Sequence, residues 1–146
     1  MTDQEQTSSR PAVAAGRLWA GGLATAIVAI LVAIVGIVIS RGIFDVQVLE
    51  PQGEGVWVFA STWWYATVAA VLAVVATALA HLLLLFTPRP MSFFGWIVAL
   101  ATAVAVLAPF ASDAALESKV ATGVINLAIG VAIGTLLTGV ASSATR

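Results

Sequence analysis

Charge is the scarcest property of this sequence: six basic and seven acidic residues and one histidine stand among 146. Charged residues make up 9% of the chain, against roughly a quarter in an ordinary soluble domain. So few charges do not cover a soluble globule, but they suffice where the main surface faces lipid. The net charge of −1 and the lack of any basic run remove the electrostatic case for nucleic acid and for anionic headgroups. Cysteine is absent, which excludes disulfides, thiolate metal ligands, thiol catalysis and palmitoylation. Enzyme signatures are missing as well. There is no GxSxG, no HExxH, no P-loop and no pair of carboxylates within an apolar run. One histidine without an acidic or nucleophilic partner at its depth makes neither a triad nor a metal site. The expectation is a non-enzymatic protein with no cofactor.

Hydrophobic residues are what the chain has in abundance, at 61%. They fall into four runs: Leu18–Ser40, Trp63–Phe86, Phe93–Phe110 and Val120–Ala141. The first holds 23 residues without a charge. As a helix it covers about 34 Å, enough for a hydrocarbon core of about 30 Å. A signal peptide competes for this run, but signal cores are only about 7–15 residues long. Thr87-Pro88-Arg89-Pro90 closes the second run, because proline lacks a donor and restricts the residue before it. Pro109 and Ser112-Asp113 close the third. Valine and isoleucine are frequent, yet run length excludes barrel strands of about 10 alternating residues. The predicted fold class is all-α: a four-helix transmembrane bundle of up-down topology. Residues 1–16 read as a disordered cytoplasmic tail and 17–146 as the membrane domain.

An even number of spans puts both termini on one side. Arg10, Arg17, Arg89 and Arg146 fall there, and Arg41 and Lys119 on the other. The positive-inside rule then places both termini in the cytoplasm of a multi-pass cell-membrane protein. Trp19, Trp63, Trp64, Tyr65, Phe93, Phe94 and Trp96 mark the span ends as an aromatic belt. The longest connection, 41–60, has β-prone stretches at Val46–Leu49 and Val56–Phe59 around the turn formers Glu50-Pro51-Gln52-Gly53-Glu54-Gly55. This predicts a short outer hairpin or flap. Trp57 and Phe59 dip into the interface or cap the bundle. The loop is a lid or partner contact on one reading and a plain cover on the other. A lone hairpin is marginal in water, so it must rest on something.

Small residues predict how the spans pack, since lipid tails give burial no driving force. Gly22, Ala26, Ala29, Ala33, Gly36 and Ser40 form one seam, and Ala66, Ala69, Ala73, Ala76 and Ala80 another. Gly130 and Gly134 make a GxxxG step in the fourth run, a candidate helix-packing site for a second copy or for a neighbouring helix of this chain. Two polar residues stand out inside the runs. His81 lies about 7–8 Å from its helix end. It is a proton-handling or ligand group, or a neutral histidine bonded to a hydroxyl such as Thr77, Thr25, Thr135 or Thr138. Asn126 lies about 9 Å deep from the opposite side, where a bond across helices to Thr67 or Thr102 is expected. Their depths differ by about 10–15 Å, so they do not pair.

The pattern from Leu18 to Ala141 resembles a family of small actinobacterial membrane proteins with four helices, known as a domain of unknown function. The resemblance rests on Trp19-Ala20-Gly21-Gly22-Leu23-Ala24, on Pro51 in the outer loop and on Leu85-Phe86-Thr87-Pro88-Arg89-Pro90. It continues with Leu107-Ala108-Pro109 and a polar residue in the outer half of the fourth helix. That residue is often histidine in the family and is Asn126 here. The resemblance implies the fold and the membrane location and no activity. Two functions follow as expectations. The first is a structural, scaffolding or accessory protein in the lipid bilayer, meeting a partner membrane protein or a second copy through its loop or GxxxG face. The alternative is an oligomeric small transporter or channel. The four-helix drug exporters of comparable length carry a carboxylate in their first helix, and this first helix has none.

Overall fold

The computed structural model describes residues 13–53 and 56–145. Most of the expected N-terminal tail, residues 1–12, lies outside them. Helix α1 spans Ala15–Gly42, strands β1 and β2 span Leu49–Gly53 and Val56–Phe59, and α2 spans Thr62–Phe86. Helix α3 spans Pro90–Leu107 and runs into a 3₁₀ turn at Ala108–Ala111, and α4 spans Leu116–Ala144. All four helices are long and apolar enough to cross a membrane, α3 together with its 3₁₀ turn.

Local chemistry sets the boundaries. The Ser61 hydroxyl accepts a hydrogen bond from the Trp64 amide (3.1 Å) and caps α2. Thr87 is extended because Pro88 follows it, and Pro90 opens α3, where its missing N–H costs nothing. Helix α4 begins at Leu116, earlier than the apolar run, and takes in Glu117, Ser118 and Lys119. A helix need not stop where hydrocarbon stops. At the far ends of the chain, the Ala14 amide donates to the Ala144 carbonyl (3.1 Å) and Arg17 to the Ser143 carbonyl (3.3 Å). The start of α1 and the end of α4 therefore meet at one end, with the hairpin at the other.

Helix α1 packs against α2 and α4, and α3 leans on α4. Both predicted seams turn inward. Gly22, Ala26, Ala29, Ala33 and Ser40 are buried on α1, as are Ala66, Ala69, Ala73 and Ala80 on α2. Gly22 is needed for close approach, since a Cβ there would run into the Thr77 side chain. Helix α4 supplies the bulk that these seams receive. Ile125, Ile129, Ile133, Leu137 and Ala141 recur every four residues and are all buried. A Cβ on Gly36 would stand 2.9 Å from Ile125. Small faces opposite a row of isoleucines let the backbones close without voids.

The hairpin is antiparallel, with Leu49 opposite Phe59, Glu50 opposite Val58 and Pro51 opposite Trp57. The first strand starts at Leu49 rather than Val46, so Pro51 lies in the strand and not in the turn. In a two-stranded ribbon every strand is an edge, and edges tolerate proline. The register shifts between Pro51 and Gly53. Before the hairpin, Asp45 adopts φ 53°, a left-handed conformation that aspartate tolerates better than most residues.

Candidate functional site

Polar groups within the helices gather in two places, one at each end. Near the terminal end, the Trp19 indole N–H donates to Nδ1 of His81 at 3.2 Å, with the rings edge-to-face at 6.4 Å. Indole nitrogen only donates, so the imidazole nitrogen is the acceptor. None of the threonines expected as partners takes this role. Thr77, Thr25, Thr135 and Thr138 each return their hydroxyl to a carbonyl four residues back on their own helix. Threonine in apolar surroundings finds this acceptor without any neighbour. His81 is half-buried at the side of α2.

The second cluster lies under the hairpin. Asn126 Nδ2 donates to the Ala105 carbonyl of α3 at 2.7 Å. The expectation of a bond across helices holds, but the partner is backbone rather than Thr67 or Thr102. The reason is Pro109. In a continuing helix the residue at 109 would donate its amide to the carbonyl at 105, and proline has none. The Asn126 amide supplies the missing donor. Tyr65 adjoins Asn126 and donates its hydroxyl to the Leu49 carbonyl at 3.0 Å. The Leu49 amide in turn donates to Thr122 on α4 at 3.0 Å. Glu50 is buried and accepts from the Ser61 amide at 3.2 Å, and Arg41 donates to the Ala60 carbonyl. The hairpin therefore rests on α2 and α4, with Val48, Leu49 and Ala60 buried beneath it.

From the sequence Glu50 reads only as part of a turn, and no motif marks Thr122. Tyr65 reads as a belt aromatic beside Trp63 and Trp64. Its spacing carried the better signal: it lies four residues before Ala69 and so continues the buried seam. Trp63, at 83% exposure, is the one of this trio that faces fully outward, as a belt residue is expected to. Thr122 likewise extends the isoleucine row of α4. Nothing in the sequence marks Glu50 as buried, because that depends on the hairpin folding down.

The GxxxG step faces inward. A Cβ on Gly130 would collide with Thr102, and one on Gly134 would stand 3.1 Å from Val98. Both glycines thus seat α3 of the same chain. Beside this contact, between α2 and α3, lies a cavity of about 320 Å³. Its floor is Ile129, Ile133 and Gly130 of α4, its walls include Leu72 and Ala101, and Pro51 and Trp57 of the hairpin roof it. Asn126 and Tyr65 touch it, but their donor groups point to the carbonyls named above. The site as built can hold an apolar guest; its polar groups hold the hairpin and α3 in place.

No curated protein and no solved structure matches the chain. Residues 13–143 match a family described as "Family of unknown function (DUF6069)". The match takes in all four apolar helices and the hairpin, so the chain belongs to that family of unknown function.

Proposed function

We propose that the protein is a non-enzymatic structural or accessory component of the cell membrane, of actinobacterial origin, that works by binding a partner membrane protein. The carrying observation is that His81, Asn126 and the buried threonines of the helices are engaged within the chain. His81 is held by Trp19, Asn126 by the Ala105 carbonyl, and the buried Thr25, Thr77 and Thr122 by their own helices. A conduit needs polar groups turned toward a shared wet path. His81 and Asn126 sit at opposite ends and share none. With Gly130 and Gly134 turned toward α3, the hairpin is the one of the two expected partner faces that stays open to a partner.

The test is reconstitution. Purified protein in mild detergent is expected to be monomeric by light scattering, and vesicles holding it to pass ions and small solutes no faster than empty ones. An oligomer with a flux that Asn126→Leu abolishes would favour the transporter reading instead.

Both termini lie in the cytoplasm in this proposal, and the hairpin lies outside, as the four-to-two split of basic residues favours. The absence of cysteine makes the orientation measurable. A membrane-impermeant maleimide on intact cells is expected to label Val58→Cys and to spare Ser143→Cys. The reverse pattern would invert the topology.

A further inference from the structure

The cavity between α2 and α3 matches one kind of guest in length, depth and chemistry. Its lining runs from Trp64 to Ala76 on α2 and from Val98 to Ala108 on α3, about 15–18 Å along the helices. One leaflet of hydrocarbon is about 15 Å deep, half of a core of about 30 Å. The slot begins beneath the hairpin and stops near the middle of each helix. Beyond that point Phe94, fully buried, belongs to the apolar cluster that also takes in Leu83 and Met91. A spanning helix of a partner would need a groove twice as long. With α4 as floor and the hairpin as roof, the open side faces between α2 and α3. The exposed Leu72 and Ala101 form its lips there. The walls are almost wholly apolar, and of the polar residues that line them Asn126 and Tyr65 are bonded within the chain, while Thr102 packs on Gly130. Apolar walls facing a void forfeit their dispersion contacts, which a flexible hydrocarbon chain restores. Trp57 and Trp64 at the roof stand where a glycerol backbone would lie, the level that tryptophan prefers.

We infer that this slot holds one acyl chain of a membrane phospholipid from the leaflet on the hairpin side, with its headgroup at the tryptophans. The inference does not depend on the partner reading above: it concerns a lipid held between α2 and α3, with the hairpin only as its roof.

Native mass spectrometry tests it, on protein extracted from phosphatidylglycerol-containing membranes and washed stepwise with detergent. Wild type is expected to keep one phospholipid per chain after the remaining lipid has gone. Ala101→Phe, which blocks one lip, is expected to lose it. Leu72→Trp blocks the other lip and is expected to do the same. Val104→Phe, on the lipid-facing side of α3 and outside the slot, is expected to keep it. The inference is overturned if wild type retains no lipid, or if the lip variants retain as much as Val104→Phe. It is also overturned if a lipid-free dimer forms that Ala101→Phe dissociates, for the slot would then belong to a second copy.

Discussion

Helices α1 and α2 are joined by the longest connection in the chain, yet they close on each other along their whole length. Helices α2 and α3 are joined by the shortest, Thr87–Arg89, yet a cavity separates them toward the hairpin end. Loop length therefore does not decide which helices pack. The faces do. Two small-residue seams meet between α1 and α2, with Gly22 against Thr77. On α3 only Phe94 is buried; the helix is seated on one side by Gly130 and Gly134 of α4, against Thr102 and Val98, and is held at its two ends. At one end Phe94 anchors it in the core; at the other Asn126 holds the Ala105 carbonyl. A helix pinned at both ends and unfilled along one side is a wall that a guest can rest against.

Four substitutions probe this contrast. Gly22→Leu forces a side chain into the Thr77 contact, where nothing can yield without parting the helices. It is expected to cost about 3 kcal/mol, the upper range for overpacking, seen as a large fall in thermal midpoint in detergent. Asn126→Leu leaves the Ala105 carbonyl without its donor. A cost of about 1–2 kcal/mol is expected, typical of polar contacts between membrane helices. Pro109→Ala should reduce that cost by restoring an amide donor within α3. Equal costs in both backgrounds would show that Asn126 does not stand in for the proline. Ala101→Phe, at the open side, is expected to change stability by less than about 0.5 kcal/mol, as surface changes do. A loss comparable to that of Gly22→Leu would mean that the α2–α3 face is packed as tightly as the α1–α2 face.

The two intramembrane polar residues show how far sequence reading reaches into the site. Depth along a helix is simple arithmetic, which puts His81 and Asn126 near opposite ends, and in the structure each has a separate partner. Their partners were not legible. Trp19 is 62 positions from His81, and an indole at a helix end reads equally well as a belt residue. The Ala105 carbonyl belongs to the backbone, and no side-chain inventory includes it. Pro109 was in view as a helix terminator, with the freed carbonyl one turn earlier. Which group satisfies that carbonyl depends on how α4 packs against α3.

The sequence alone dictates that four stretches become helices in a membrane. Length and the lack of charge leave an unpaired backbone in hydrocarbon no other choice. It determined the inward faces of α1 and α2 as well, because small residues at helical spacing form a seam whatever lies opposite. Three-dimensional packing settles which helix each face meets, that Gly130 and Gly134 seat α3, and that the hairpin folds down onto Tyr65 and Thr122. It alone decided that a slot one leaflet deep opens between α2 and α3. Periodicity states which side of a helix turns inward; the space between two helices depends on the angle and distance at which they are held, and no single helix encodes these.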